Sequence, residues 1–332
     1  MRQLVPSDGL FKLRYPLNCW YRLSKGHTHD FIFEKGIGSL HLSVIGEKGR
    51  KKYEEIISNP NITILNLGDR TIYEIRLPRS DSSSIIWLFD INGVLFLATY
   101  YCEEPDLDGD IVKNHIKAIH DIFTSIEIIK ESKRKNEFAW YKFGKFIASL
   151  GASQELFSRA SAKGCFIECV CILANQIDAL LRTAIILFDQ NKNKNRKIDL
   201  KLIYQSTHDE PIVERKIYKQ ARKKEIIDKN IYDELNETYN ERNKVVHRYI
   251  ISEITTMDLL HITERYKNLK KIIYDIVYEL ESKQIESGYG MTIPHEKAPT
   301  NTQKHAEENI RKAIEEKHGG LDITYDNKNE ES

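Results

Sequence analysis

Arg242 and His247 stand five positions apart in YNERNKVVHRYIIS, residues 239–252, with Asn243 directly after the Arg and Tyr249 two beyond the His. An imidazole titrates near neutrality, so His247 can take the proton of a ribose 2′-hydroxyl or return one to a departing 5′-oxygen. A guanidinium stays charged and carries paired donors, so Arg242 can stabilise an anionic pentavalent phosphorus transition state. The pair suits phosphodiester cleavage without a metal. On a helix Asn243 and His247 share a face one turn apart, and Arg242 lies about 140° round from His247, within reach of a long side chain. One His cannot readily serve as acid and base at once. Two copies meeting across this helix would supply two of each, which makes a symmetric homodimer the economical arrangement. The bland alternative is a cation near the last carbonyls of a helix.

Arg followed by His after four to six residues resembles the signature of the HEPN superfamily (higher eukaryotes and prokaryotes nucleotide-binding). The bare spacing recurs at Arg22 with His27 or His29 and at Arg311 with His318, where no bundle is expected. Asn243, Tyr249, the helical setting and a long apolar helix upstream distinguish the Arg242 pair. The resemblance covers roughly residues 139–290. It implies a helical bundle, a homodimer with a composite cleft, and a metal-independent endoribonuclease acting on RNA as a toxin or antiphage effector. An antitoxin or trigger protein is the further partner implied, and Tyr249 becomes a cleft residue or a modification target. The alternative is a non-catalytic dimerisation, nucleotide-binding or partner-binding protein whose N-terminal half is an immunity-type binder.

Other residues surround this pair in the reading. Within CFIECVCILANQIDALLRTAIILF, residues 165–188, the polar side chains Glu168, Cys171, Asn175, Asp178 and Arg182 project in an arc of about 80°. Buried polar groups need partners. One reading sets Glu168 and Asp178 beside Arg242 and His247 as orienting carboxylates; the other pairs Asp178 with Arg182 at i, i+4. RKIYKQARKK, residues 215–224, gathers Arg215, Lys216, Lys219, Arg222 and Lys223, either as a solvated face or as a track for an RNA backbone. Cys165 and Cys169, with no His nearby, read as small buried hydrophobes rather than metal ligands. His27 and His29 before Asp30 read as a turn, and Gly36-Ile37-Gly38 lacks the strand-to-helix context of a phosphate loop. No metal or cofactor is expected.

The elements that must position these residues fall in two halves. Segments 11–23, 30–46, 61–78 and 83–102 are rich in β-branched and aromatic residues and are separated by turn formers. Asn92-Gly93 between apolar arms predicts a hairpin. Helices are expected at Arg50–Ser58 and Asp110–Ile128, giving an antiparallel sheet packed with helices over residues 1–130. Element order, Trp20 and Trp87 give this half a resemblance to PsbP-like α/β/α sandwiches. A charged break at 129–136 leads to helices at Phe138–Leu150, stopping at Gly151, and on to Ala162; residues 131–163 are thus a linker with leading helices. A HEPN-like bundle is expected over 164–290, with helices at Cys165–Phe188, Asp199–Gln205, Pro211–Asp228, Ile231–Ile251 and Thr255–Ser287. Residues 291–332 read as a largely disordered polar tail with one marginal helix at Glu307–Lys317. The fold class is α+β with two domains.

Composition bounds the function. The 332 residues carry 50 basic and 49 acidic side chains, a net +1, so bulk charge holds the chain to neither nucleic acid nor membrane. The average conceals a basic 189–224 and an acidic tail from His295. Five Cys, an odd number, suggest reduced thiols. The apolar stretch Ile177–Phe188 is short for a bilayer span and the opening residues lack a leader pattern, so a cytoplasmic protein without membrane contact is expected.

Overall fold

The computed structural model describes residues 1–24, 27–33, 38–46, 49–51, 54, 57, 62–78, 83–102, 109–205, 209–292 and 302–318. The chain divides into two compact units, Met1–Phe138 and Ala139–Ser332. The fold is α+β, with antiparallel sheets in the first unit and helices in the second.

In the sheet unit each expected β segment resolves into a pair of strands: β2 (Phe11–Tyr15) and β3 (Cys19–Ser24), β4 (Thr28–Phe33) and β5 (Gly38–Ile45), β6 (Thr63–Leu67) and β7 (Arg70–Pro78), β8 (Ser83–Ile91) and β9 (Val94–Cys102). Seven of them form one antiparallel sheet in the order β3-β4-β5-β9-β8-β7-β6. Period-two alternation sends Phe31, Phe33, Leu40, Leu42, Phe96, Tyr100, Ile85 and Trp87 to one face, where all are buried. Helix α1 (Asp110–Thr124) contributes Val112, Ile119, Ile122 and Phe123 to the same core. Trp87 Nε1 donates to Glu74 Oε2 at 2.7 Å, which gives the buried indole its partner, whereas Trp20 is half exposed. The hairpin turns at Asn92-Gly93, both with positive φ, as a tight primed turn requires.

Two short strands corrected the expected boundaries. β1 (Arg2–Leu4) and β10 (Glu127–Ile128) flank β2 in a separate three-stranded sheet, so the helix expected to run to Ile128 ends at Thr124. Backbone pairing of Glu127 with Lys12 and Ile128 with Phe11 takes those residues out of the helix. The helix expected at Arg50–Ser58 lies mostly outside the described residues, as do Gly36 and Ile37. His27 occupies the turn before β4 with positive φ, while His29 is buried in β4, with its Nδ1 2.9 Å from Tyr21 Oη.

In the helical unit the chain passes through α2 (Glu131–Ala162), α3 (Phe166–Asn193), α4 (Leu200–Ile203), α5 (Glu214–Lys223), α6 (Lys229–Arg248), a 3-10 turn (Tyr249–Ile251), α7 (Thr256–Ser287) and α8 (Thr302–His318). α2 begins inside the sheet unit and is unbroken, which overturns both the charged break at 129–136 and the stop at Gly151. Lys, Arg and Glu are good helix formers, and Gly151 serves another purpose. A Cβ there would lie 2.8 Å from Ile310 Cγ1 of α8, so the missing side chain permits close approach of the two helices. Ala148, Ala152 and Ala313 pack at the same contact, and the marginal helix expected at Glu307–Lys317 is longer and docked. Gly151→Val is expected to overpack this contact at a cost of about 1–3 kcal/mol. Hydrogen exchange would then quicken over 302–318 with α3 protection unchanged; unchanged exchange over 302–318 would contradict the packing account.

α3 is the central helix. It packs along α7 and against α4, α5 and α6, burying Val170, Leu173, Ile177, Leu181, Ile185 and Leu187. By length and composition it would also suffice to cross a membrane, yet 78% of its most apolar window is buried inside the protein. Cys169 is buried as expected, but Cys165 precedes the first turn of α3 and is exposed.

Candidate active site

The motif lies on α6, which local and long-range contacts fix in place. Asp228 caps its start, accepting from Ile231 N at 2.8 Å. Along one face Glu234, Glu237 and Glu241 take Arg265 of α7 at 3.3, 3.1 and 2.8 Å, a three-carboxylate clasp spanning two turns. On the buried side Tyr266 donates to Thr238 O at 2.8 Å, and Leu235 and Val245 enter the core. α7 in turn starts with a reciprocal capping box between Thr255 and Asp258 and ends at Gly288 with positive φ.

Arg242 is anchored by a residue absent from the sequence-level candidates. Its Nη2 donates to both carboxylate oxygens of Glu214, at 2.8 and 2.7 Å, and its guanidinium sits 4.9 Å from the centre of the Tyr239 ring. The two side chains are only 20% and 17% exposed, so the pair is largely withdrawn from water. Tyr218 donates to Glu214 Oε2 at 3.2 Å. Burial pushes the Glu214 carboxyl up, Arg242 pulls it down, and the net direction is up. Asp178 is likewise raised by burial, against the attraction of Arg182 and Arg242. Arg242 Nε and Asp178 Oδ1 are buried without a hydrogen-bond partner. Four charges therefore alternate in one network: Arg182, Asp178, Arg242, Glu214.

The polar stripe of α3 divides in the structure. Asp178 accepts from Arg182 Nε at 2.6 Å, and Arg182 also donates to Leu202 O and Ile212 O at 2.9 and 2.8 Å, so this half of the stripe ties down α4 and the start of α5. Glu168 and Asn175 are exposed, and Cys171 is half-buried, its thiol pushed up by burial against the opposing pull of Arg242. Glu214, rather than Glu168, holds the guanidinium. The signal available in the sequence was a lone acid directly before RKIYKQARKK, a stretch read only for its positive charge.

His247 occupies the last turn of α6 and is exposed, as is Tyr249 in the 3-10 turn beyond; Asn243 is half-buried. Five residues of helix separate Arg242 from His247 by about 7.5 Å along the axis. Exposed apolar side chains flank the histidine along the chain, here called the collar: Val246 is 42% exposed, Ile250 95%, Ile251 82% and, at the start of α7, Met257 71%. Arg215, Lys216, Lys219, Arg222 and Lys223 all face solvent on α5, whose opposite face buries Ile217, Tyr218 and Ala221. Arg215 sits 5.2 Å from the centre of the Tyr239 ring that also contacts Arg242, so the basic face begins beside the anchored arginine. At its far end Lys223 and Lys224 join Lys192 and Phe188 around a cleft of about 520 Å³.

No family model matches the chain, and no curated protein does. A crystal structure from Bacteroides thetaiotaomicron VPI-5482 is similar at a TM-score of 0.33 and 13% identity, over 54% of this chain and 76% of that one. A likeness that slight bears on neither fold family nor chemistry. The functional reading rests on the site.

Proposed function

We propose that the chain is a HEPN-like, metal-independent endoribonuclease whose cleft forms between two copies across α6. The observation that carries this reading is the division of labour within the motif: Arg242 is immobilised by Glu214 beside a basic face, while His247 stands exposed on the same helix. With Nη2 committed to Glu214 and Nε buried, Nη1 is the donor that would meet a phosphate oxygen, and the geometry is set before substrate arrives. His247 is the proton carrier, taking the 2′-hydroxyl proton or supplying the 5′-oxygen, with its counterpart from the second copy in the other role. Arg215, Lys216, Lys219, Arg222 and Lys223 follow the backbone. Tyr249 belongs to the collar and lines the same cleft.

The collar supports a second copy as its occupant. Exposed Val, Ile and Met side chains gathered into a patch mark an interaction surface, and placing two collars together would exclude water from the histidines between them. The double variant I250E/I251E is expected to convert a dimer to a monomer in sedimentation and to abolish cleavage of RNA, with helix content unchanged. A monomeric wild type that cleaves RNA would overturn the composite cleft. A dimer that never cleaves RNA, with or without intact Arg242 and His247, would favour the non-catalytic dimerisation reading instead. Uncontrolled cleavage would harm the host, so a toxin or antiphage role with an antitoxin or trigger protein is the fitting setting.

A further inference from the structure

A second constellation lies on the outward face of the seven-stranded sheet and owes nothing to the ribonuclease reading. Arg22, Asp30 and His41 are cross-strand neighbours on β3, β4 and β5, and Ser39 is two residues before His41 on the same strand and face. Ser39 Oγ lies 3.0 Å from His41 Nε2, and His41 Nδ1 lies 2.7 Å from Asp30 Oδ1. Asp30 is buried, 1% exposed, and its second oxygen accepts from Arg22 Nε at 2.9 Å and from Ser24 Oγ. Burial opposes ionisation of this carboxyl, yet hydrogen bonds from Ser24, His41 and Arg22 hold it below the ordinary carboxylate range. An ionised carboxylate only accepts, so Nδ1 of His41 must carry the proton, and Nε2 is left with a lone pair aimed at the Ser39 hydroxyl.

From this geometry we infer that Ser39, His41 and Asp30 form a nucleophilic triad that cleaves carboxylic esters with small apolar acyl groups. The roles follow from position. Ser39 Oγ bonds to the acyl carbon as its proton passes to His41 Nε2. The ester C–O bond then breaks and the same proton leaves with the alcohol. Water, deprotonated by His41, finally releases the carboxylic acid and restores the serine. Asp30 holds the imidazole in the required tautomer and balances the imidazolium. The side chain of His41 is 37% exposed, so a substrate can reach the pair. The acyl preference comes from the row that contains Ser39: Trp20, Ile32, Ser39 and Tyr101 are cross-strand neighbours in sequence across β3, β4, β5 and β9. Trp20 is 50% and Tyr101 41% exposed, which provides an apolar surface on both sides of the nucleophile.

The test uses the full chain and an alkyl fluorophosphonate, which bonds to an activated serine oxygen through phosphorus as fluoride departs. Intact mass and peptide mapping are expected to find one adduct, on Ser39, absent from Ser39→Ala. His41→Gln is expected to slow its formation by about a hundredfold, the usual scale for loss of a general base. Hydrolysis of p-nitrophenyl acetate should fall in the same two variants. His41 is partly exposed and its variant is expected to fold, which circular dichroism checks; Asp30→Asn supplies a second arm, in which the imidazole loses the carboxylate that fixes its tautomer and balances its charge, and labelling of Ser39 is again expected to slow. No adduct on Ser39 in the wild type, or equal labelling rates in folded His41→Gln, would overturn the triad.

Discussion

Arg242→Ala is expected to destabilise the helical unit by about 3 kcal/mol, because removing one partner of a largely buried ion pair leaves the other charge without compensation. Glu214 would remain largely buried, with the Tyr218 hydroxyl on Oε2 as its one remaining donor and Oε1 left without any. The pH dependence separates this cause from lost packing. Glu214 already has a pKa above its unfolded value, so the native state binds its proton more tightly and stability falls as pH rises from the ordinary carboxylate range through the raised value. Without Arg242 that rise is larger. The deficit of Arg242→Ala is therefore expected to be full at pH 7 and to shrink as acid protonates Glu214. Urea titrations at several pH values measure it, and a deficit that stays constant with pH would point to packing. Adding Glu214→Gln to Arg242→Ala should recover much of the loss by removing the stranded charge.

His247→Ala should behave in the opposite way. The side chain is exposed in the last turn of α6, so stability is expected to change by no more than about 0.5 kcal/mol. RNA cleavage, in contrast, is expected to fall by about 10²–10⁴-fold, the usual contribution of a positioned proton carrier. The contrast matters because a capping or packing role for the motif would place both residues in the stability column. Arg242→Ala combines a folding defect with a catalytic one; His247→Ala isolates the chemistry.

The parts of this arrangement that were legible in the sequence are those set by short-range physics. The Asn92-Gly93 turn, the apolar α3 and the α7 helix closed by Gly288 each announce themselves within about a dozen residues. β1 and β10, at three and two residues, carry no periodicity to read and exist through pairing with β2. Gly151 was misleading because a glycine that ends a helix and one that admits a neighbouring helix look identical in one dimension. Glu214 is 28 positions from Arg242, and a single acid ahead of six basic residues signals its role only when α5 and α6 are laid together. The Ser39–His41–Asp30 chain was hidden for the same reason, since it depends on the register that sets Asp30 opposite His41.

The central claim is that Arg242 and His247 cut RNA through its own 2′-hydroxyl without a metal. Incubating purified wild type and His247→Ala with total RNA in a chelator, and reading the ends of the fragments, tests it most directly. The account requires wild-type fragments with 5′-hydroxyl and cyclic 2′,3′-phosphate ends, and intact RNA with His247→Ala. Equal patterns from both proteins, whether intact or degraded, would contradict it.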